Sequence, residues 1–200
     1  MSERMCKGVG RNDEIRRSIE EFRKPVLPFE LTLAKKSLKG FCVDQSTLTD
    51  RMSDAMDQSS ETWHDNAPAE MVRDDSINLS AAAEGIISVI NKADVFDYEA
   101  DPEEGATMGS LVGVKYRDDK EPYTFFITGI SRELTPEIAE QIDVIEGVTV
   151  VTVGSPIGKA ILGKTEGDLV NFSAPNGRNM SFTVESVRQV NYLQPATLEL

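Results

Sequence analysis

The side chains that could do chemistry lie in one short stretch, residues 59–68, between two long amphipathic patterns. This stretch holds the only tryptophan of the chain, Trp63, next to its only histidine, His64. An aromatic side chain on a projecting loop favours contact with a partner, so both residues are candidates for partner binding. His64 could also transfer a proton or touch a phosphate, although a single histidine in a loop is more often only solvated.

Two acids, Glu61 and Asp65, flank this aromatic pair. Asp65 and Asn66 are good N-cap residues, and Pro68 fits only the first turn of a helix, so a new helix should begin here. Asp65 could therefore act only as a helix N-cap. The same carboxylate could also combine capping with a functional role. The rest of the sequence contains no Ser/His/Asp set, phosphate-binding glycine loop or cluster of metal ligands, so the chain is not self-evidently an enzyme.

Heptad patterns precede and follow the stretch. Apolar residues step by three and four from Leu31 to Ala55 with one polar interruption, and a second series runs from Val72 to Ala93 with one more. Two such helices around a break predict an antiparallel hairpin with its tip at residues 61–67 and arms about 40 Å long. Gly40 predicts a kink or a shorter first helix. Ordinary amphipathic helices packed on a globular core are the alternative.

Charge and composition exclude several classes of protein. The net charge is -13; residues 1–60 contain 11 basic and 10 acidic side chains, whereas residues 61–200 contain 10 and 24. Such a surface repels phosphates, which argues against autonomous DNA or RNA binding, and it attracts cations or a basic protein channel. No apolar run approaches a membrane span and the first 17 residues lack a secretion signal, so we expect a cytoplasmic protein. Cys6 and Cys42 lie too far apart to suggest a zinc site, and we expect reduced thiols.

The later part of the chain reads as strands around a short helix. The run G-S-P-I-G-K-A-I-L-G-K-T-E-G-D at residues 154–168 begins with Ser155 as a helix cap and Pro156 at the first helical position. Strands are predicted at residues 111–117, 123–128, 148–153, 169–172 and 180–187, with a hairpin turn at 175–177 and another helix at 135–144. The run could also serve only to close a sheet.

These motifs resemble the bacterial Gre transcript-cleavage factors. In their C-terminal domain the pattern S-P-[IL]-[GA]-x-[AG]-[LI]-[IL]-G-K-x-x-G-D opens the last part of an FKBP-like fold, and residues 155–168 follow it. Residues 61–69, E-T-W-H-D-N-A-P-A, are similar to the family's tip pattern G-D-L-[SK]-E-N-A-E-Y. Residues 93–97, A-D-V-F-D, match the family's A-x-V-I-D at the same spacing from the tip.

The resemblance implies an α+β protein in which an N-terminal antiparallel helical hairpin, a coiled coil, precedes a compact FKBP-like antiparallel β domain with a short helix. We therefore expect a flexible segment at residues 1–25, the hairpin at 26–96, an acidic linker at 97–105 and the FKBP-like domain at 106–200. The helix at 135–144 looks like an insertion relative to the family.

The resemblance also implies a function. Gre hairpins enter the secondary channel of RNA polymerase, where two tip acids help to hold a second Mg²⁺ and a water in the polymerase's own active site. Asp65 matches one of these acids, whereas the other aligns with Thr62 and its nearest replacement is Glu61. Asp65 and Glu61 are thus the candidate catalytic and metal-ligating residues, with Mg²⁺ shared with the polymerase and no tightly bound cofactor.

In the family the C-terminal domain docks near the channel entrance. The candidate partner-binding residues are therefore the tip residues Trp63, His64 and Asn66 together with Ser155, Pro156, Ile157, Gly158 and Lys159. The implied partner is RNA polymerase, with nascent RNA contacted only inside that complex. Three readings stay open beside cleavage stimulation: a channel-occupying regulator that blocks access, an FKBP-like peptide binder such as a chaperone or prolyl isomerase, and a scaffold for another protein.

Overall fold

A computed structural model of the chain describes residues 10–58, 67–96, 105–117, 121–142 and 147–190. It divides into two compact units, one formed by residues 31–93 and the other by the residues before and after them. The described helices include none that is both long and apolar enough to cross a membrane.

The first described element is a helix that the sequence analysis did not predict. Helix α1 (Arg11–Glu20) lies within the range assigned to a flexible segment. Its Ile15 is fully buried, and Arg16 donates a hydrogen bond of 2.9 Å to the carbonyl oxygen of Leu162. Two apolar residues in ten, Ile15 and Ile19, are too few to predict a helix from periodicity, so the contacts with distant residues are what the sequence analysis lacked.

Two long helices follow the short strand β1 (Lys24–Val26). They are α2 (Pro28–Gln58), with 31 residues, and α3 (Ala67–Lys92), with 26. Strand β2 (Ala93–Val95) comes directly after α3 and pairs with β1. The sequence analysis expected a kink or a shorter helix at Gly40. Helix α2 passes through this glycine without interruption, so the shorter helix is wrong.

Helices α2 and α3 contact each other along heptad positions. Gln45 donates to the Ser76 hydroxyl at 3.2 Å, and an Arg51 nitrogen lies 3.6 Å from an Asp75 carboxylate oxygen. The least exposed side chains of α2 in residues 38–57 all belong to the predicted series: Leu38, Phe41, Leu48, Met52 and Ala55. In α3 the predicted series is displaced by one residue at some positions, since Ser76 and Ala83 are half-buried and Asp75 and Ala82 are exposed.

The second unit contains a five-stranded sheet in the order β5-β4-β3-β7-β6. Its strands are β3 (Ser110–Tyr116), β4 (Tyr123–Thr128), β5 (Val148–Thr152), β6 (Leu169–Ser173) and β7 (Asn179–Gln189). The strand predictions agree with these limits to within two residues. The core includes the fully or nearly fully buried Val112, Val114, Phe126, Ile127 and Phe182.

The α+β fold class is as predicted, with one difference in the sheet. Strands β4 and β5 are parallel, whereas the other three pairs are antiparallel. Helix α4 (Pro136–Ile142) lies in the connection between β4 and β5. A parallel pair needs a connection that returns the chain to the end of the sheet where the first strand began, and α4 lies in that connection. The remainder of the predicted helix, residues 143–144, lies outside the described residues.

The tight turns follow the sequence pattern. Strands β6 and β7 are joined through Asn176 and Gly177, and Gly177 has a φ of 78°. This left-handed conformation favours glycine, because a Cβ atom would be strained there. Helix α5 (Pro156–Ile161) lies between β5 and β6 and contacts both strands.

Candidate functional site

The predicted tip lies between two described helices. Helix α2 ends at Gln58 and α3 begins at Ala67. The tip candidates Glu61, Thr62, Trp63, His64, Asp65 and Asn66 lie outside the described residues. Pro68 is the second residue of α3, in the first turn as predicted, and Glu70 adds a negative charge there. Negative charge at a helix N-terminus is favourable, which suits acids placed immediately before α3.

The second candidate site, at the start of α5, is described in full. Ser155 is the N-cap: its hydroxyl accepts a 3.0 Å hydrogen bond from the Gly158 N–H and donates one of 2.7 Å to the Thr152 carbonyl oxygen. Pro156 occupies the first helical position, where its missing N–H breaks no hydrogen bond. The predicted cap and helix start are confirmed.

The five partner-binding candidates at the start of α5 fall into three classes by exposure. Gly158 is buried, and any Cβ atom there would overlap the Thr152 carbonyl oxygen, so this position serves the fold. Pro156 and Lys159 are exposed, while Ser155 and Ile157 are half-buried. The surface that α5 offers to another molecule is therefore a proline ring and a positive charge, with Ile157 beside them.

Comparison with known proteins decides the family of this sheet-and-helix unit. Residues 101–189 match the family model described as "Transcription elongation factor, GreA/GreB, C-term". The chain is 27% identical to the transcription elongation factor GreA of Rhodospirillum rubrum over 154 residues, which cover 76% of this chain and 90% of the relative.

Over residues 101–189, the chain is similar to the C-terminal domain of the GreA/GreB factors.

Further proteins are similar to the chain. GreA of Helicobacter hepaticus is 29% identical over 115 residues, or 58% of this chain and 64% of the relative. Among solved structures, GreA factor homolog 1 of Thermus thermophilus gives a TM-score of 0.37 at 17% identity, covering 83% of this chain and 99% of that chain.

The loop after α5 is fixed by a carboxylate. Asp168 accepts a hydrogen bond of 2.9 Å from the Thr165 N–H and another of 3.3 Å from the Thr165 hydroxyl. The backbone hydrogen bond is the main cause that lowers the pKa of Asp168 below its usual 3.8, since it stabilises the ionised form. Gly167 and Asp168 end the motif that carries the resemblance. The Asp168 carboxylate stabilises the turn through its hydrogen bonds with Thr165.

Sequence reasoning missed a second carboxylate, Glu30. It lies in the first turn of α2, is 1% exposed and accepts four backbone hydrogen bonds. The donors are the N–H groups of Leu27, Gly129, Ile130 and Ser131, at 2.8–3.0 Å. Glu30 thereby fixes the loop after β4. A Cβ atom added to Gly129 would collide with the Glu30 carboxylate. The available signal was a charged residue inside the apolar run L-P-F-E-L.

Among the described residues, no group of three or more His, Cys, Asp or Glu side chains could hold a metal ion. The carboxylates of Glu30 and Asp168 both accept hydrogen bonds from backbone N–H groups. The two metal-ligating candidates predicted at the tip, Glu61 and Asp65, lie outside the described residues and stay predictions.

Proposed function

We propose that this protein is a Gre-family factor that binds RNA polymerase and stimulates the polymerase's own cleavage of backtracked RNA. One observation carries the proposal: the GreA/GreB C-terminal match at residues 101–189 occurs together with two long helices that flank an acidic, aromatic segment. The relative from Rhodospirillum rubrum, aligned over 90% of its length, is a transcription elongation factor.

The two long helices are long enough to carry residues 61–67 into a deep channel. Helix α3 has 26 residues, and at a rise of 1.5 Å per residue it spans about 40 Å. A helix pair of that length can carry a few side chains into a narrow channel too small for a folded domain. In our proposal the channel is the secondary channel of the polymerase, and residues 61–67 are the part that reaches its active site.

The acids of the tip supply oxygen ligands. Mg²⁺ prefers oxygen ligands and keeps several waters unless carboxylates replace them, and a second metal stabilises both the attacking and the leaving oxygen in phosphodiester hydrolysis. We assign the principal ligand role to Asp65 and an assisting role to Glu61. The factor itself needs no tightly bound cofactor in this scheme, because the metal is shared with the polymerase.

Thr62 sets the expected strength of this activity. It stands where the family has its other tip acid, and Glu61 precedes it by one residue. One residue of displacement at a helix end rotates a side chain by about 100°, whereas metal–ligand distances tolerate about 0.2 Å. Cleavage should therefore depend mainly on Asp65.

The C-terminal domain supplies the anchor. Pro156 and Lys159 are exposed on α5, and Ser155 holds this helix start in place. We assign the docking contact to this surface, with Trp63, His64 and Asn66 making further contacts inside the channel. The factor acts as an accessory protein, and nascent RNA meets it only inside the polymerase complex because its net charge of -13 repels free nucleic acid.

An RNA cleavage assay tests the proposal. Backtracked elongation complexes with end-labelled RNA are incubated with the wild-type factor, with Asp65→Ala or with Glu61→Ala. Asp57→Ala is the matched control, since Asp57 is an exposed acid at the end of α2. We expect shortened RNA with the wild type and Asp57→Ala, at least tenfold slower cleavage with Asp65→Ala, and a smaller loss with Glu61→Ala. Equal rates for wild type and Asp65→Ala would remove Asp65 from the mechanism.

Thr62 also favours a second candidate, a regulator that occupies the channel without promoting cleavage. With one tip acid replaced by a neutral hydroxyl, the tip can fill the channel while holding the metal poorly. This variant of the proposal predicts slower RNA synthesis with no shortened RNA. The same assay distinguishes the two, because elongation rate and RNA length are read from one gel.

A further inference from the structure

One end of the sheet carries an aromatic cluster that the polymerase proposal does not use. Tyr116 packs edge-on against Tyr123 and Phe182, with ring centroids 5.6 and 5.4 Å apart. Phe125 and Phe172 lie 6.4 and 5.9 Å from Phe182. The strand register places Tyr116 opposite Phe182, so these rings share one face across four neighbouring strands.

A groove opens over this cluster. It has a volume of about 600 Å³ and is lined by Tyr116, Arg117, Tyr123, Phe125, Asn179, Met180 and Ser181. Phe125 is 6% exposed, whereas Tyr123 is 45% and Met180 39% exposed. A second depression of about 470 Å³ lies beside it, between β6 and β7, and shares Asn179, Met180 and Ser181 with it. The surface thus combines apolar and aromatic side chains with the polar side chains of Asn171, Ser173, Asn179 and Ser181.

The dimensions of the groove limit what can fill it. Together the two depressions cross from β4 to β6, which are three strand spacings of about 4.8 Å apart, or about 14 Å. An extended peptide advances about 3.3 Å per residue, so about four residues cover that distance. Two pockets either side of Met180 suit two side chains of such a peptide.

The charge of the groove indicates which charge its occupant should carry. Among the described residues that line the two depressions, Arg117 is the only charged one. This is notable in a chain with 34 acidic and 21 basic side chains. Asp118 and Asp119, which come next in the sequence, lie outside the described residues. A carboxylate on the occupant would pair with the Arg117 guanidinium, which forms strong bidentate contacts with carboxylates.

The same features argue against a nucleic acid. Single-stranded nucleic acids bind by stacking bases on exposed aromatic faces within a positively charged groove. Here Phe125 and Phe182 are buried and pack edge-on with their neighbours, and a single arginine supplies the positive charge.

We propose that this groove binds an extended segment of a partner protein, about four residues long. The segment places an apolar side chain such as leucine, proline or phenylalanine against Tyr123, Phe125 and Met180, and an aspartate or glutamate against Arg117. This binding does not involve the hairpin tip, so its failure and the failure of the polymerase proposal are separate results.

Peptide selection tests the proposal without a known partner. A phage-displayed library of random heptapeptides is selected against the full-length wild-type protein and against the double variant Tyr123→Ser/Met180→Ser. Both substituted side chains are partly exposed, which limits the effect on folding. The control is Leu169→Ser, an exposed apolar residue of β6 outside both depressions. We expect the wild type and Leu169→Ser to enrich peptides with an acid one or two residues from an apolar residue.

Selected peptides are then synthesised with a fluorescent label, and their affinities are measured by anisotropy. We expect at least tenfold weaker binding to Tyr123→Ser/Met180→Ser, and at least fivefold weaker binding to Arg117→Glu with recovery when lysine replaces the acid. Circular dichroism checks that each variant is folded. Absence of enrichment on the wild type, or affinities unchanged in the groove variants, would overturn the proposal.

A deletion of residues 191–200 is run in parallel. This segment follows β7 and contains apolar side chains. If peptides bind only after the deletion, the groove is occupied by the protein's own C-terminal segment, and the proposal of a separate partner is wrong.

Discussion

Glu30 shows how one side chain determines the shape of a loop in this protein. Its two carboxylate oxygens accept hydrogen bonds from four backbone N–H groups, three of which belong to consecutive residues, Gly129, Ile130 and Ser131. A buried carboxylate without such donors would be costly, and buried N–H groups without an acceptor would be costly too. The loop and the acid therefore depend on each other.

We predict that Glu30→Gln lowers the free energy of unfolding by about 2–3 kcal/mol, in the range measured for hydrogen bonds to charged groups. The amide has only one oxygen to accept hydrogen bonds, and its NH₂ group would face backbone donors. Urea unfolding of the full-length protein measures the change. Glu140→Gln, at an exposed position of α4, is the control and should leave the stability unchanged.

Asp168 predicts a dependence of stability on pH. Because its pKa is lowered in the folded protein, the ionised form contributes stability above the unfolded pKa of 3.8, and this contribution is lost as pH falls through the folded pKa. Asp168→Asn should therefore have a lower Tm than the wild type at pH 7, and the difference should shrink as the pH is lowered below 3.8. A constant difference between pH 7 and the acid range would contradict the assigned role.

At the scale of elements, the long helices follow from heptad spacing and the sheet from strand and turn signals. Ser155 and Pro156 determine where α5 begins, as the sequence alone predicted. Three features could not be predicted from local patterns. Helix α1 has one buried apolar residue, three of the four donors to Glu30 lie about 100 residues away from it, and the parallel pairing of β4 with β5 depends on a crossover. Each arises from contacts between distant parts of the chain.

The seam between α2 and α3 gives a prediction about the hairpin. Leu48 is 9% exposed at a heptad position, whereas Val43 on the same helix is 67% exposed. We predict that Leu48→Ala destabilises the hairpin by about 2–3 kcal/mol, because it leaves a cavity in the seam. Val43→Ala should change the stability by less than about 0.5 kcal/mol. Helical circular dichroism during urea unfolding compares the two, and equal effects would mean that the seam is misplaced.

The whole molecule combines two units with different tasks in our account. The unit with the sheet carries the GreA/GreB match and the exposed start of α5, and the other consists of the long helices that flank the acidic segment. In this account the unit with the sheet determines the affinity for RNA polymerase, and the helices determine the rate of RNA cleavage. Substitutions in the first should therefore change the affinity, and substitutions in the second should change the cleavage rate. The aromatic groove adds a third surface whose substitutions should affect neither.

The affinity of the full-length protein for purified core RNA polymerase tests this division most directly. Wild type, Asp65→Ala and Lys159→Glu are each labelled and titrated with polymerase, and binding is followed by fluorescence anisotropy. Our account predicts that the wild type and Asp65→Ala bind with similar affinity, while Lys159→Glu binds at least fivefold more weakly because its exposed charge is reversed. Failure of the wild type to bind, or loss of binding in Asp65→Ala with Lys159→Glu unaffected, would contradict it.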